Sequence, residues 1–156
     1  MCKIKKIMFV CHGNICRSPM AEFIFKDLVK KRGLEENFLV VSSATSTEEI
    51  GNPIYPPARE ELRKNGISLE SRKAVRLQKD DYEKYDLFVC MDSNNMRNIK
   101  RIFLVEDMCK VKKLMDFTAR GGDVADPWYS DRFDIAFNDI KYGCEELLKA
   151  LLNEGN

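Results

Sequence analysis

Four short apolar runs, each separated from the next by a stretch with helical spacing, constrain this 156-residue chain more than any other feature. Ile4 to Val10 reads as a strand. Ser18-Pro19 then offers a helix cap and a proline at the first helical position, and Met20, Phe23, Ile24 and Leu28 step along one face until Lys30, Lys31, Arg32 and Gly33 close the turn. Phe38 to Ser43 is a second buried strand, and Ala58 to Asn65 a helix stopped by Gly66. Tyr85 to Met91 is a third strand, Asp92 to Arg101 a helix capped by Asp92 or Ser93, and Lys110 to Met115 a weaker fourth strand. From Asp131 onward, Phe133, Phe137, Ile140, Cys144, Leu147 and Leu151 form one face of a long closing helix. This alternation predicts an α/β fold with an open, mostly parallel four-stranded sheet and helices on both faces. The ligand crevice of such a sheet lies at the carboxyl ends of its strands, and Cys11 stands at one of those ends.

With 44% apolar residues and no repeat, low-complexity tract or linker, residues 1–156 are expected to form a single domain of the Rossmann-like or flavodoxin-like three-layer kind. The 26 Lys and Arg nearly balance the 25 Asp and Glu. A net charge of +1 gives no general attraction to nucleic acid or to an acidic membrane, so neither is an expected partner and any anion site must be local. The opening MCKIKKIMFV is too short to span a bilayer and lacks a signal-cleavage pattern. The six cysteines, at 2, 11, 16, 90, 109 and 144, are scattered in a chain large enough to fold without staples, so a cytoplasmic protein with reduced thiols is expected.

The segment from Cys11 to Ser18 joins a strand end to a helix start, where free N–H groups and the helix dipole favour an anion. Gly13 and Asn14 are expected in left-handed conformations that turn those groups inward, around a tetrahedral oxyanion. No lysine follows a second glycine, which excludes the nucleotide-binding phosphate loop. The same positive potential favours thiolate over thiol at Cys11 and makes it a nucleophile. Arg17 can grip two oxygens of the same group in a bidentate fork that lysine could not copy. A zinc site at Cys11, His12 and Cys16 is disfavoured by the lone histidine and the absence of a second cysteine pair, and His12 is expected on the exposed rim. Cys-x5-Arg alone is a weak signal; the preceding strand, the Gly-Asn within and the Ser-Pro helix opening give it weight.

The stretch from Val10 to Pro19, VCHGNICRSP, closely resembles the signature of the low-molecular-weight protein tyrosine phosphatases. The likeness continues through Met20-Ala21-Glu22, Ser42-Ser43-Ala44, Gly51-Asn52-Pro53, Asn65-Gly66-Ile67, Met91-Asp92-Ser93-Asn94 and Asp126-Pro127-Trp128-Tyr129. That resemblance implies hydrolysis of protein phosphotyrosine through a cysteinyl-phosphate, with neither metal nor cofactor. Cys11 would attack phosphorus, Arg17 hold the phosphoryl group, and Asp126 protonate the leaving oxygen and later activate water. His12, Gly13, Asn14, Ile15, Cys16, Ser18 and Ser43 would bind phosphate or support the loop, Ser18 aiming its hydroxyl at Cys11 and Asn14 and Ser43 bracing. Cys16 would be a redox partner able to form a reversible disulfide with Cys11. Trp128 and Tyr129 would offer flat walls to a phenyl ring, and Gly121-Gly122 would let the Asp126 loop shift over substrate.

Two departures stand out. Where the family commonly has a histidine bonded into the loop network, this chain has Arg72, expected to brace the loop differently or add positive potential. Where relatives usually present an aromatic residue on the pocket wall, Glu48 and Glu49 stand. The expected partners are phosphotyrosine proteins or peptides, with inorganic phosphate and other tetrahedral oxyanions as inhibitors.

Three other readings share parts of this pattern. Arsenate reductases resemble the loop and add a thiol relay, for which Cys90 and Cys109 invite comparison, but nothing resembles a mobile segment with two closely spaced relay thiols. Protein-arginine phosphatases carry threonine where this chain has Ile15, and an apolar side chain there leaves no hydroxyl to position water. A non-catalytic phosphate-recognition module would be expected to lose nucleophile, arginine or acid, and all three are present. Cys2, Cys90, Cys109 and Cys144 are otherwise expected to be inert.

Overall fold

The computed structural model describes residues 4–154, so Cys2 lies outside the described residues. Four strands, β1 (Lys5–Cys11), β2 (Phe38–Ala44), β3 (Leu87–Cys90) and β4 (Val111–Lys113), lie in the order β2-β1-β3-β4, and every pairing is parallel. The α-helices among the described residues are α1 (Arg17–Lys31), α2 (Pro56–Lys64), α3 (Asp81–Lys84), α4 (Ser93–Phe103), α5 (Pro127–Ser130) and α6 (Phe133–Glu154). None of them is long and apolar enough to cross a membrane.

Side chains alternate across β1, and the alternation builds two cores. Ile7, Phe9 and Cys11 face a large apolar cluster that includes Met20, Ile24 and Phe25 of α1, Leu62 of α2 and Phe137, Ile140 and Leu147 of α6. Met8 and Val10 face the opposite cluster, formed with Phe88 and Cys90 of β3 and Ile99 and Phe103 of α4. With both faces covered, β1 and β3 are continuous apolar runs, as parallel strands require. Each of the fully buried Phe, Ile and Leu side chains contributes about 1.5–3 kcal/mol by leaving water.

The first helix differs from its expected form. Its nine residues from Arg17 to Phe25 are all buried, because α1 lies between the sheet and α6 rather than on the surface. The helix starts at Arg17, so Pro19 occupies its third position and Ser18 its second; the cap is Cys16, with no side-chain capping bond. The short helices α3 and α5 went unforeseen because four residues carry no helical period. The third and fourth strands are shorter than their apolar runs: β4 pairs only with β3, and Leu114–Phe117 turns into a 3-10 helix directly after it.

Strand order reverses at β1, whose two neighbours are reached by connections leaving in opposite directions. The crevice outside the carboxyl ends of β1 and β3 is therefore the switch point of the sheet. Cys11 ends β1. Asp92 follows β3 and caps α4 in a capping box: its Oδ1 accepts from Asn95 N at 2.7 Å, and Asn95 Oδ1 accepts from Asp92 N at 3.2 Å. Asp92, not Ser93, is the cap.

Candidate active site

Two backbone N–H donors and one hydroxyl converge on one sulfur. Cys11 Sγ lies 3.3 Å from Asn14 N, 3.4 Å from Ser18 N and 3.0 Å from Ser18 Oγ. Both N–H groups belong to the loop and first turn that open α1, and both are aimed at that sulfur. Asn14, at φ +58, is the left-handed residue that turns the chain back over Cys11. Gly13 is not left-handed, and a Cβ there would meet Glu49 Cγ at an ordinary contact distance of 3.5 Å. Ser18 is not a cap, and its position inside the first turn of α1 is what lets its hydroxyl reach Cys11.

Asn14 is also the hub of a buried network behind the loop. Its Nδ2 donates to Ser18 Oγ at 2.8 Å and Ser42 Oγ at 2.9 Å, and its Oδ1 accepts from Val75 N at 3.1 Å and from Arg72 Nη2. Ser42 Oγ donates in turn to Glu22 Oε1 at 2.6 Å, and Lys26 Nζ donates to Glu22 Oε2 at 2.6 Å. The hydroxyl expected from Ser43 points elsewhere: Ser43 Oγ donates to Met8 Sδ at 3.0 Å, and only its carbonyl reaches the site, accepting from Ser18 Oγ at 3.5 Å. Residues alternate sides along β2, so the hydroxyl facing Asn14 belongs to Ser42. Arg72 braces Asn14 directly. Burial lowers its pKa, opposed by the charges of Glu22 and Cys11.

Arg17 is 2% exposed and heavily partnered. Its Nη1 donates to Asp92 Oδ2 at 2.6 Å and to Val124 O at 2.9 Å, and its Nη2 lies 3.4 Å from Asp126 Oδ2. Burial would lower its pKa, but Cys11, Asp92 and Asp126 together raise it above the ordinary arginine value. Its Nε has no protein partner among the described residues. Asp126 caps α5, accepting from Trp128 N at 3.0 Å through Oδ1, which fixes the carboxylate beside Arg17.

These groups line a cleft of about 310 Å³ whose floor is Cys11, Ile15, Cys16 and Arg17. One wall carries Asp126, Trp128 and Tyr129, the other His12, Gly13, Glu48 and Glu49. Trp128 is half exposed and rests on Tyr55, ring centroids 4.9 Å apart; Tyr129 is almost wholly exposed. His12 Nε2 and Glu48 Oε2 meet at 3.0 Å on the rim. Cys16 is a buried free thiol whose pKa is pushed up to about 12, by burial first and then by the negative charges of Cys11 and Asp126.

The family model for low molecular weight phosphotyrosine protein phosphatases matches residues 6–156. The chain belongs to this family. The low molecular weight protein-tyrosine-phosphatase YfkJ of Bacillus subtilis is 37% identical over 150 residues, which cover 95% of this chain and 96% of that protein. The low molecular weight phosphotyrosine protein phosphatase of Gallus gallus is 36% identical over 155 residues, covering 97% and 96%. A crystal structure of YfkJ matches with a TM-score of 0.95 and 35% identity over 99% of this chain and 98% of that one.

Four residues of this arrangement escaped the sequence reading. Asp92 was legible as a cap but not as the partner of Arg17, 75 residues away. The signal existed in the topology, because a residue following β3 must face one following β1 when the two strands pair in parallel. Ser42 was displaced by its neighbour Ser43. Glu22 and Tyr55 carried no local signal, since each acts through a side chain on another element.

Proposed function

We propose that this protein hydrolyses phosphotyrosine in proteins or peptides through a covalent cysteinyl-phosphate, without metal or cofactor. The observation that carries the reading is the convergence of Asn14 N, Ser18 N and Ser18 Oγ on Cys11 Sγ, in a cleft that Arg17 and Asp126 also line. Cys11 sulfur forms a bond to phosphorus as the bond from phosphorus to the tyrosyl oxygen breaks. Asp126, protonated, gives its proton to that oxygen, which would otherwise leave as a phenolate with a pKa of about 10. Arg17 holds the equatorial oxygens as charge spreads over them, and the loop amides face the same oxygens. Water then attacks phosphorus, Asp126 takes its proton, and the sulfur–phosphorus bond breaks to release inorganic phosphate.

His12, Gly13, Ile15 and Cys16 form the loop around the phosphoryl group, with Asn14, Ser18 and Ser42 behind it. Trp128 and Tyr129 flank the phenyl ring. Inorganic phosphate and other tetrahedral oxyanions compete for the same bowl. The five described cysteines are free, which suits the reducing compartment, the cytoplasm, in which this reading puts the protein.

A thiol-relay reductase gains no support from Cys90, which is fully buried with its pKa pushed up to about 12, first by burial and then by Asp92. Ile15 is 7% exposed and presents no hydroxyl to a phosphoramidate. The deciding experiment is turnover of a phosphotyrosine peptide and of para-nitrophenyl phosphate by wild type, Cys11→Ser and Asp126→Ala. Turnover should vanish in Cys11→Ser, and in Asp126→Ala it should fall about 100- to 10,000-fold on the peptide. Equal turnover by Cys11→Ser, or faster release from a phosphoarginine peptide by the wild type, overturns the proposal.

A further inference from the structure

We propose that Glu48 and Glu49 make this enzyme select phosphotyrosines whose neighbouring residues are cationic, so that its substrates are basic rather than acidic segments. The inference rests on the phosphatase reading and names the substrate class of the same cleft.

The acidic wall is built, not loose. The loop that carries it is tied to the phosphate loop by Thr45 N donating to Cys11 O at 2.9 Å, and by Ser46 N and Ser46 Oγ donating to His12 O at 3.0 and 2.9 Å. Its far end is held by Gly51 N on Ala74 O at 2.9 Å. Glu48 is fixed by His12, and Glu49 accepts from Asn52 Nδ2 at 2.5 Å. The stem of Glu49 lies over Gly13, its Cγ within ordinary van der Waals reach of where a Cβ would stand, at 3.5 Å. Both carboxylates therefore occupy defined positions at the mouth rather than sweeping through solvent.

Their charges are not matched by cations of the wall. Glu49 is bonded to a neutral amide, and among the described residues the partner of Glu48 is His12, charged only when protonated. Arg17 lies on the floor and is already shared between Asp92 and Asp126. A substrate enters with a phosphate dianion destined for that floor, and any further acid beside the tyrosine meets the two carboxylates at the rim. Lysine or arginine there meets them as partners. The opposite wall, Trp128 and Tyr129, contributes aromatic surface on which arginine also stacks.

Exposed ion pairs are each worth roughly 1.4- to 5-fold in affinity. Exchanging two attractive contacts for two repulsive ones is therefore expected to change kcat/KM by about tenfold, and the effect should shrink as salt screens the rim.

The test uses two phosphotyrosine peptides of one length, one with lysine and arginine on both sides of the tyrosine and one with glutamate and aspartate. Their kcat/KM ratio is measured at low salt and at high salt for wild type, Glu48→Gln, Glu49→Gln and the double variant. Affinities of Cys11→Ser for both peptides give the same ratio without turnover. The expected results are a basic-over-acidic ratio of about tenfold, its fall to within about twofold in the double variant, and a smaller wild-type ratio at high salt. A wild-type ratio near one, a preference for the acidic peptide, or a ratio that survives in the double variant overturns the inference. Wild-type turnover of para-nitrophenyl phosphate, which has no neighbouring residues, separates the two failures. Its absence counts against the phosphatase reading, while the Cys11→Ser affinities still decide the charge preference.

Discussion

Arg17 donates to Asp92 across 2.6 Å while the other oxygen of the same carboxylate caps α4, so one acid ties the arginine that opens α1 to the end of β3. Asp92→Asn should keep the cap, since asparagine serves there as well as aspartate, but it removes the charge that aligns Arg17. Asp126 and Val124 O remain, so the stability loss should be about 2 kcal/mol rather than the 3–5 that follows when a buried charge loses all its partners. Misaligning the arginine by a fraction of an ångström should lower kcat/KM up to about a hundredfold. Asp92→Ala should lose a further ~1 kcal/mol with the cap. Thermal melts and phosphotyrosine kinetics on both variants check this; wild-type kinetics in Asp92→Asn would refute it.

The contrast between what was legible and what was not follows the range of the contacts. Strand and helix identities are written in local spacing, so the apolar run of β1 and the period of α6 could be read directly, while the division of β1 between two cores could not, because its side chains are apolar on both faces. Cys11, Arg17 and Asp126 could be named because a loop signature and a resemblance carried them. Which hydroxyl of Ser42 and Ser43 faces the loop depends on the register of β2 against β1, and a one-residue slip exchanges them. The role of Ser18 depended on where α1 begins, and helix boundaries are set by the fit of the loop, here the left-handed Asn14.

That register argument has its own test. Ser42→Ala leaves Glu22 Oε1 without its donor and Asn14 Nδ2 with Ser18 alone, a loss of about 1–3 kcal/mol of stability. Ser43→Ala removes only a hydroxyl bonded to Met8 Sδ and should cost less than about 1 kcal/mol. Denaturant midpoints and kcat/KM should rank Ser42→Ala below Ser43→Ala in both. The reverse ranking would show the network to be centred on Ser43.

Arg72 contributes one donor to Asn14 Oδ1 but holds a guanidinium whose Nη1 is buried without a partner. Replacing it with leucine relieves that desolvation while Val75 N still holds Asn14. Arg72→Leu should therefore change the melting temperature by no more than about 2 °C and lower kcat/KM by about tenfold, as the loop loses rigidity and nearby positive charge. Loss of folding together with activity would mean that the arginine is chiefly structural.

Gly143 lies in the middle of α6, where alanine would ordinarily add up to about 1 kcal/mol of helix stability. Here a Cβ would stand 2.5 Å from Leu114 Cγ and 2.9 Å from its Cδ2. Leu114 is fully buried and packed among Phe, Ile and Met side chains, so it has no room to swing away. The overpacking penalty of about 1–3 kcal/mol outweighs the propensity gain. Gly143→Ala should melt several degrees lower with unchanged kcat, and an equal or higher melting temperature would show that α6 can shift.

Three buried thiols should make stability fall in alkali. Burial raises Cys16 and Cys90 from 9.0 to about 12 and lifts Cys144 as well. The unfolded thiols ionise first as pH rises, so the unfolded state binds fewer protons than the native one and stability falls. The contribution is complete below about pH 9 and is lost progressively as pH climbs toward 12. At ~1.4 kcal/mol per unit per thiol, the three together remove about 4 kcal/mol by pH 10, a large part of an ordinary domain's stability. Cys144→Ala, at the fully buried site whose sulfur donates to Ala21 O at 3.8 Å, should lower stability at neutral pH through its small cavity. It should also flatten the decline between pH 9 and 10 by about a third. Unfolding free energies measured from pH 7 to 10.5 for both proteins decide it: parallel curves would mean that Cys144 does not govern the alkaline transition.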